Sequence, residues 1–573
     1  MVVYANKPVT SFDKLFAEIK NYGAYQLFFF ITVQYLCLPQ AAHFVVNFFS
    51  LGGLAPNYIC NDNDLKFNYS SKFVKANSEF VCQQITQCVN LTTQNAWYSI
   101  YEEYKLVCRA DHIRSTLASL LPLGVVTSYL TAGYLTDRFG RKWLMVAGIL
   151  IETLFGFAQA TLTPSWEYYV LFIVLNALVS PVSLFTGAAY SLIMESVNSK
   201  YRLIQGYAFQ FCLGYIFAGT LAYFTKNWRM HLIIANLIAI PGLIMTLFIQ
   251  ESPRFLAQKK RYRKAAQVMT RIAKFNGRKK NFTEDEIQAT QAENITKTGK
   301  KCTVLDLLRS RKLVKYTISQ VTTGIGINVV GNILLYNIQD LSGNPLFNVA
   351  LMGALRIWTP FVAVFLENGV KNFGRKTFLV LSQGLVCFCF AGILLLSVLN
   401  VWEDYHKIAT ASALIGYVYC ERKRTNESLK LEKIYKGSFL GYATESGFVW
   451  FAYKLYTTEL YPTVIRTTAL NVFSTTSLIG SVMSPQLVYL SKFWHPAPYF
   501  GAAIITLLAT VFALVLLPET KGIPLPDTLL EAEQEDRYKK KLKHRQQHFN
   551  VKSNAALLKD DTKAQNDSLD PEK

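Results

Sequence analysis

Long apolar runs separated by short charged segments dominate this 573-residue chain. About 20 apolar residues in a helix are enough to cross the hydrocarbon core of a bilayer. Runs of that length lie near 22–46, 113–135, 143–162, 168–192, 204–225, 231–250, 314–337, 346–367, 376–400, 408–458 (where charged residues interrupt it), 468–490 and 497–517. The pattern therefore predicts an all-α membrane protein with about twelve transmembrane helices.

Composition and charge support a membrane protein. Charged residues make up 17% of the chain, mean hydropathy is +0.20 and the net charge is +21. Soluble domains carry about 25% charged residues. The basic excess flanks the apolar runs, which is the positive-inside pattern and argues against a nucleic-acid partner. We expect the N-terminus (1–21), the basic segment 251–313 and the tail 521–573 to be cytoplasmic, most simply at the plasma membrane.

A polar segment between the first two runs, residues 50–112, is predicted to lie outside the cell. It holds four of the ten cysteines, Cys60, Cys82, Cys88 and Cys108. In an oxidising compartment an even set predicts two disulfides, with three connectivities open. Zinc is the alternative, but paired C-x-x-C units are missing, so we expect no metal site. Asn68 and Asn90 begin glycosylation sequons in the same segment.

The segment Gly133–Lys142 reads G-Y-L-T-D-R-F-G-R-K between the second and third runs. Its spacing resembles the loop between helices 2 and 3 of the major facilitator superfamily. Asp137 is expected at the N-terminus of the following helix, where the helix dipole favours a negative charge. Basic residues there are expected at the cytoplasmic headgroups. The resemblance implies a conformational switch whose residues are Gly133, Asp137, Arg138, Gly140 and Arg141.

Three features recur in the same order along the chain, which predicts two six-helix halves, 22–250 and 314–520. The first is this segment, with a weaker copy at 367–376. The second is an acid followed seven residues later by an arginine. The third is an acidic motif that ends each half, at 250–254 and 518–522. The repeated acid–arginine pairs, which we add to the switch, are Glu195 with Arg202 and Glu459 with Arg466. Such halves bind substrate between them, near the membrane midplane.

The chain resembles the organic cation, organic anion and carnitine transporter family of that superfamily over residues 12–535. The resemblance is carried by E-S-P-R-F-L at 251–256, R-I-A-K-F-N-G at 271–277, E-L-Y-P-T-V-I-R at 459–466 and L-P-E-T-K-G-I-P-L-P at 517–526. The long first outer loop fits as well. Sugar porters share the general motifs but lack this loop, and so rank second.

The resemblance also implies substrate-binding positions. Tyr190, Gln210 and Asn328 match positions of substrate contact in relatives, and Trp358 falls near a charged position of the family's eighth helix. Arg356, half a turn away, is added because a charge at membrane depth usually faces a cavity or a partner. Trp450 is added because an aromatic ring can bind a quaternary ammonium. The charges that select cations or anions in the eleventh and fourth helices of relatives are replaced by Leu478 and Asn176.

These features predict a secondary-active or facilitative transporter that works by alternating access. The phosphate-binding pattern G-x-x-x-x-G-K-S/T is missing, so we expect neither ATP-driven pumping nor an enzyme, and no cofactor. The expected partners are the bilayer, a small organic ion and a coupling ion or exchange substrate. An organic cation or zwitterion is favoured. An organic anion transporter, a sugar-porter-like carrier and a non-transporting receptor or scaffold remain alternatives.

The tenth span generates a prediction of its own. Residues 417–441 interrupt it with several Lys and Arg, each of which would cost about 3 kcal/mol at membrane depth. Without them, 408–416 joins 442–458 as one run long enough for a tilted span. We predict that 417–441 is an insertion, and that the chain lacking it reaches the cell surface and transports. Uptake by both forms, with sequencing of transcripts, checks this. Loss of surface expression on deletion, with the segment encoded in every transcript, would contradict it.

Overall fold

The structure, a computed structural model, describes residues 11–49, 55–62, 66–70, 73–74, 77–95, 97–109, 111–197, 201, 211–290, 311–336, 344–357, 374–398, 448–461, 466–494 and 496–519. Residues 417–441 lie outside this part of the chain. Within it, six helical stretches are long and apolar enough to cross a membrane. They are Ala24–Phe48, Arg141–Thr161, Trp166–Glu195, Trp228–Phe248, Arg311–Tyr336 and Ala497–Leu516.

Each predicted apolar run contains a described helix. The first half contains α1 (Ser11–Glu18), α2 (Ala24–Phe48), β1 (Asn57–Asn61), β2 (Lys66–Tyr69), α3 (Ser78–Gln87), β3 (Leu91–Gln94), α4 (Ile100–Glu103), α5 (Asp111–Phe139), α6 (Arg141–Thr161), α7 (Trp166–Val179), α8 (Pro181–Glu195), α9 (Cys212–Thr225) and α10 (Trp228–Phe248). Then follow α11 (Pro253–Gln258), α12 (Tyr262–Phe275), α13 (Arg311–Tyr336), α14 (Pro345–Ile357), α15 (Arg375–Val398), α16 (Trp450–Leu460), α17 (Arg466–Leu490) and α18 (Ala497–Leu516).

The fourth span is broken into α7 and α8. Ser180 adopts a left-handed conformation with φ 43°, and Pro181 begins α8. Proline fits the first position of a helix, where its missing N–H is not needed, but it cannot continue the preceding helix. The Ser183 hydroxyl donates to the Ser180 carbonyl across this break, at 2.7 Å. The predicted run at 168–192 is therefore two helices that meet at a kink.

The connection between the second and third spans is shorter than expected. Helix α5 continues to Phe139, so Gly133, Asp137 and Arg138 lie on a helix rather than in a loop. The expectation that Asp137 begins the following helix is wrong, because it lies in the last turn of α5. Gly140 alone separates the two helices, with φ 98°. This backbone conformation favours glycine, whereas residues 134–139 include neither Gly nor Pro to stop the helix earlier.

Helices α1, α11 and α12 pack together beside the start of α2. Their apolar faces bury a second core that includes Phe12, Phe16, Met269 and Ile272. The Asn276 side chain accepts from the Tyr25 backbone N–H at 2.8 Å and donates to the Ile19 carbonyl at 3.0 Å. The N-terminal segment and part of the basic segment 251–313, expected only as a terminus and a linker, therefore fold as a helical cap on the first half.

The described residues between 55 and 109 form a small domain, which we call the cysteine domain. Its sheet has the antiparallel order β2-β1-β3, with Tyr58 opposite both Tyr69 and Thr93. Disulfides join Cys60 to Cys88 and Cys82 to Cys108, so β1 is tied to the residue that follows α3, and the turn before α5 is tied to α3 itself. Both sequon asparagines, Asn68 and Asn90, are exposed. Of the three connectivities that the sequence leaves open, the structure has this one.

The cysteine domain is fixed to the membrane helices by an ion pair. The Glu103 carboxylate accepts from the Arg229 guanidinium and from the Trp228 indole N–H, each at 2.6 Å. Arg229 also donates to the Ala160 and Thr163 carbonyls at 2.7 Å. The start of α10 and the end of α6 are thereby bound to helix α4 of the domain.

The two halves meet along α5 with α17 and along α9 with α14. The Ser119 hydroxyl donates to the Val482 carbonyl at 2.9 Å, and the rings of Phe48 and Tyr336 have centroids 4.5 Å apart. Ser119 is near the start of α5 and Phe48 ends α2, so both contacts lie at the end that carries the cysteine domain. The contacts between halves described here therefore close that end.

We predict that peptide mapping without reductant finds no free thiol among Cys60, Cys82, Cys88 and Cys108, and that glycosidase increases gel mobility. The reason is that both disulfides and both sequons lie in one domain predicted to be extracellular. Cys37 is buried in α2, so Cys37→Ser, which should leave both results unchanged, is the control. A free pair in the cysteine domain, or a glycosidase without effect, would contradict the extracellular placement.

Candidate functional site

Arg141 is the centre of a charged cluster at the end opposite the cysteine domain. Its guanidinium pairs with the Glu195 carboxylate at 3.1 Å, and the two side chains are 8% and 25% exposed. The guanidinium also lies over the Phe255 ring, 4.0 Å from the centroid. Because Arg141 begins α6 and Glu195 ends α8, this pair holds the ends of two membrane helices together. Three of the predicted switch residues, Gly140, Arg141 and Glu195, are thus brought to one place.

A glutamate from the end of the first half caps α6. The Glu251 carboxylate accepts from the backbone N–H groups of Arg141 and Lys142 at 3.2 Å. These N–H groups have no partner within the helix, and the dipole makes this terminus partly positive. Burial raises the pKa of Glu251, and the backbone hydrogen bonds and Arg141 oppose that rise. Any Cβ at Gly140 would collide with the carboxylate, so glycine is needed there for space as well as for its φ.

The second half repeats this arrangement. The Glu519 carboxylate accepts from the backbone N–H groups of Arg375 and Lys376, at 2.8 and 3.2 Å, at the start of α15. A Cβ at Gly374 would collide with that carboxylate. The weak copy of the switch segment is therefore structurally equivalent to the first at its glycine and the two basic residues after it.

Sequence reasoning missed the role of Glu251 and Glu519. It identified both as part of the motif that ends each half, but assigned the helix N-terminus to Asp137. The signal that was available is the recurrence of a glycine followed by two basic residues together with an acid at the end of each half.

Two further cations surround the Arg141 cluster. The Lys142 ammonium donates to the Leu247 carbonyl at 2.7 Å, which is the C-terminal end of α10. The Arg254 guanidinium donates to the Glu195 carbonyl at 3.1 Å. Positive side chains at helix C-termini are stabilised by the negative end of the dipole. The cluster therefore joins the ends of α6, α8 and α10 to the helical cap.

The other predicted switch residues are not part of the described cluster. Arg138 is exposed, and its guanidinium donates to the Tyr134 phenol oxygen at 3.3 Å. Glu459 lies near the end of α16 and Arg466 begins α17. Arg202 lies outside the described residues. The second acid–arginine pair thus frames the connection from α16 to α17.

The predicted substrate residues lie on four different helices. Asn328 on α13 accepts from the Ser481 hydroxyl on α17 at 3.1 Å, so it links two helices of the second half. The Arg356 guanidinium on α14 lies 5.0 Å from the centroid of the Tyr215 ring on α9, and so contacts the other half. Trp450 lies beside Tyr453 within α16, with centroids 6.0 Å apart. Tyr190 is half-buried on α8. Gln210 and Trp358 lie outside the described residues.

No metal ligand set emerges beyond the cysteine domain in the part of the chain that the structure describes. Cys60, Asp62 and Cys88 are close enough to share an ion. The two thiols are joined in a disulfide, and the Asp62 carboxylate accepts from the backbone N–H of Asn90 at 3.0 Å. Because thiolates and not disulfides bind metals, this group stabilises the turn.

Solved structures with the same fold are transporters. The inward-open xylose transporter XylE from E. coli superposes with a TM-score of 0.55 at 18% identity, over 89% of this chain and 98% of that one. Its partially occluded form gives a TM-score of 0.56 at 15% identity, over 87% and 100%. The chain therefore has the major facilitator fold, with twelve spans in two halves, as the hydrophobic pattern predicts.

The chain belongs to the family described as "Sugar (and other) transporter", which matches residues 67–420, more than half of its length. Similar proteins include the "Organic cation transporter protein" of Drosophila melanogaster, 27% identical over 81% of this chain and 80% of the relative. A Drosophila "Organic cation transporter-like protein" is 26% identical over 93% and 94%. The human "Organic cation/carnitine transporter 2" is 28% identical over 75% and 71%. The resemblance inferred from the motifs is thereby confirmed.

We predict that Glu195→Gln lowers the free energy of unfolding by about 2 kcal/mol, since it leaves the buried Arg141 charge without its carboxylate. The cost lies below that of a fully buried pair because Glu195 is one-quarter exposed. Thermal unfolding of the detergent-solubilised full-length protein measures this effect. Adding Arg141→Gln should recover part of the loss. Simple additivity of the two substitutions would show that the pair is not coupled.

Proposed function

We propose that this protein moves small organic ions across the plasma membrane by alternating access, as a secondary-active or facilitative transporter. The observation that carries the proposal is that a glutamate carboxylate binds a helix N-terminus in each half, Glu251 at α6 and Glu519 at α15, at one end of the molecule. It stabilises the fold of each half at that end, while the Ser119–Val482 and Phe48–Tyr336 contacts between the halves lie at the other end. Two internally fixed halves joined at one end are suited to rocking against each other.

The Arg141 cluster is proposed as the part that changes during transport. The Arg141–Glu195 pair and the Lys142–Leu247 contact join three helix ends within the first half. Closing the end opposite the cysteine domain requires these ends to approach the second half. Charged side chains that hold one arrangement must then exchange partners, and interfaces of this kind have discrete rather than continuous states.

The substrate class proposed is an organic cation or a zwitterion. The names of the relatives given above refer to organic cations or to carnitine. Arg356 lies at the contact between α9 and α14, where its guanidinium can bind a carboxylate bidentately. Aromatic side chains such as Trp450 and Tyr190 can bind an ammonium group by cation–π contact. A compound that carries both groups would use both kinds of contact.

An organic anion is the second candidate, and Arg356 is the observation that favours it. A positive side chain at the interface between halves attracts an anion without help from an aromatic ring. A sugar-like substrate ranks lower, because neutral sugars would not need this charge. A receptor or scaffold role is the alternative outside transport.

The proposed topology follows from charge. The termini and the basic segment 251–313 face the cytoplasm, so the cysteine domain faces the outside. The energy source is the substrate gradient, exchange or a coupled ion.

The test is uptake in oocytes of radiolabelled tetraethylammonium, carnitine and para-aminohippurate, with surface biotinylation to normalise the rates. Uptake of the first or second supports the proposal, and uptake of the third alone supports the anion alternative. Normal surface levels without uptake of any of the three would favour the receptor or scaffold role.

We predict that Arg356→Ala raises the apparent KM for carboxylate-bearing substrates at least tenfold more than the apparent KM for tetraethylammonium. Arg356→Lys should keep most of the affinity for both kinds of substrate. A tenfold change corresponds to about 1.4 kcal/mol, within the range of one charge-assisted hydrogen bond. Concentration-dependent uptake of carnitine and tetraethylammonium by the three forms measures it. An unchanged ratio between the two substrates would make Arg356 a structural residue of the α9–α14 contact.

A further inference from the structure

Glu152 is a buried carboxyl group near the middle of the 21-residue helix α6. It is 8% exposed, and among the described residues no Lys or Arg side chain forms an ion pair with it. The nearest cation on its own helix, Lys142, is ten residues away, about 15 Å along the axis, and its ammonium donates to the Leu247 carbonyl. A charge at this depth without a partner is costly, so the site calls for a neutralising group.

The hydrogen bonds between Glu152 and Gln40 leave two acceptor atoms without a donor. Gln40 on α2 donates from Nε2 to Glu152 Oε2 at 3.1 Å. Gln40 Oε1 and Glu152 Oε1 are both buried, and neither receives a hydrogen bond from the described residues. Gln40 is only 6% exposed. Both orphaned atoms are acceptors when the carboxyl is ionised, so what the pair lacks is a donor. A proton on Glu152 Oε1 supplies one.

The group belongs to a polar seam between α2, α6 and α10. Cys37, Gln40 and His43 recur at helical spacing along one face of α2. His43 Nε2 lies 2.9 Å from Asn236 Oδ1 on α10. One turn after Glu152, a Cβ at Gly156 would collide with both His43 and Asn236, so glycine makes the room that this polar pair occupies.

The seam leads toward the cysteine domain. His231, near the start of α10, is fully buried and lies edge-on to Trp97 of that domain, with ring centroids 6.0 Å apart. Along the seam from Glu152 toward the cysteine domain, the next position is Gly156, beside His43 and Asn236, and His231 follows. Each step lies closer to the end that the Glu103–Arg229 pair fixes. The two histidines of this seam, His43 and His231, thus lie between Glu152 and the end that carries the cysteine domain.

Other titratable groups on the packed helices do not supply the missing charge. Helix α2 contributes Cys37 and Tyr35, whose phenol donates to the Ile238 carbonyl at 3.0 Å. Helix α10 contributes His231, and α8 contributes Tyr190. On α5 and α7 the nearest are Tyr129, bonded to Thr186 at 2.8 Å, and Tyr169. The cysteine and the tyrosines are neutral in their ordinary states, the ring of His231 packs against Trp97, and Arg229 of α10 is paired with Glu103.

We propose that Glu152 is a proton-binding site, formed with Gln40, that couples substrate transport to protons. The proton binds Glu152 Oε1 and converts the ionised carboxylate to a carboxylic acid, whose O–H donates to Gln40 Oε1. The Gln40 amide continues to donate to Oε2, so acid and amide exchange two hydrogen bonds. Proton uptake therefore stabilises the packing of α2 against α6 and shifts the equilibrium between conformations. The coupling part of this inference rests on the proposed transport function.

Uptake into proteoliposomes of the full-length protein tests the coupling, with carnitine, tetraethylammonium and para-aminohippurate as probes. The pH gradient is varied at equal sodium and zero membrane potential. We expect the gradient to change wild-type uptake at least threefold, and Glu152→Gln to transport without responding to it. The matched control is Glu167→Gln, an exposed glutamate on α7 paired with Arg109, which should respond like wild type. Uptake that ignores the pH gradient, or that follows sodium alone, would overturn the coupling.

A second readout does not depend on transport. Dicyclohexylcarbodiimide modifies protonated carboxyl groups in apolar surroundings, and peptide mass spectrometry locates the adduct. We expect Glu152 to be modified, with the yield falling several-fold as pH rises, and Glu167 to remain unmodified. If none of the three probes is transported but Glu152 is modified in this way, the proposed function fails and the proton site stands. A Glu152 that stays unmodified at every pH overturns the site itself.

Discussion

The arrangement on which the rest of this structure depends is the binding of a glutamate by a helix N-terminus. In the first half the acid is Glu251 and the helix is α6; in the second half they are Glu519 and α15. A helix that begins inside a protein leaves N–H groups without acceptors, and a carboxylate satisfies two of them while complementing the dipole. Because the acid comes from the end of the half and the helix from its middle, one interaction closes each six-helix unit.

The two ends of the first half are fixed by different means. Opposite the cysteine domain, carboxylates meet helix termini and cations in the Arg141 cluster. At the domain itself, one ion pair between Glu103 and Arg229 is reinforced by backbone carbonyls and two disulfides. Disulfides do not exchange partners during a transport cycle, whereas ion pairs can. In the proposed topology the disulfides lie on the outer side, and the Arg141 cluster, which is held by ion pairs and hydrogen bonds alone, lies on the cytoplasmic side.

Much of the fold could be predicted from hydrophobic runs, because a membrane span needs only length and low polarity. The sequence also predicts the repeat of two halves, the two disulfides of the polar segment and the role of Glu195 in the switch. The partner of the α6 terminus could not be predicted. Glu251 is 110 residues from Arg141, and no periodicity connects them. The predicted position of Asp137 is wrong for a local reason. A charged segment flanked by glycines is expected to form a loop, but a single glycine, Gly140, is enough to separate the two helices.

Electrostatics distinguishes Glu152 from Glu103, Glu195 and Glu251, the other acids discussed above. Glu195 and Glu251 lie at helix ends, where a guanidinium or free N–H groups balance the carboxylate. Glu103 pairs with Arg229. Glu152 has a neutral amide as its hydrogen-bond donor and lies far from any helix end. The proposed proton site rests on this contrast: Glu152 lies at mid-depth beside an amide whose Oε1 has no donor among the described residues. In the proposed cycle, Glu152 takes up a proton when it is exposed to one side of the membrane and releases it to the other, which links proton movement to substrate movement.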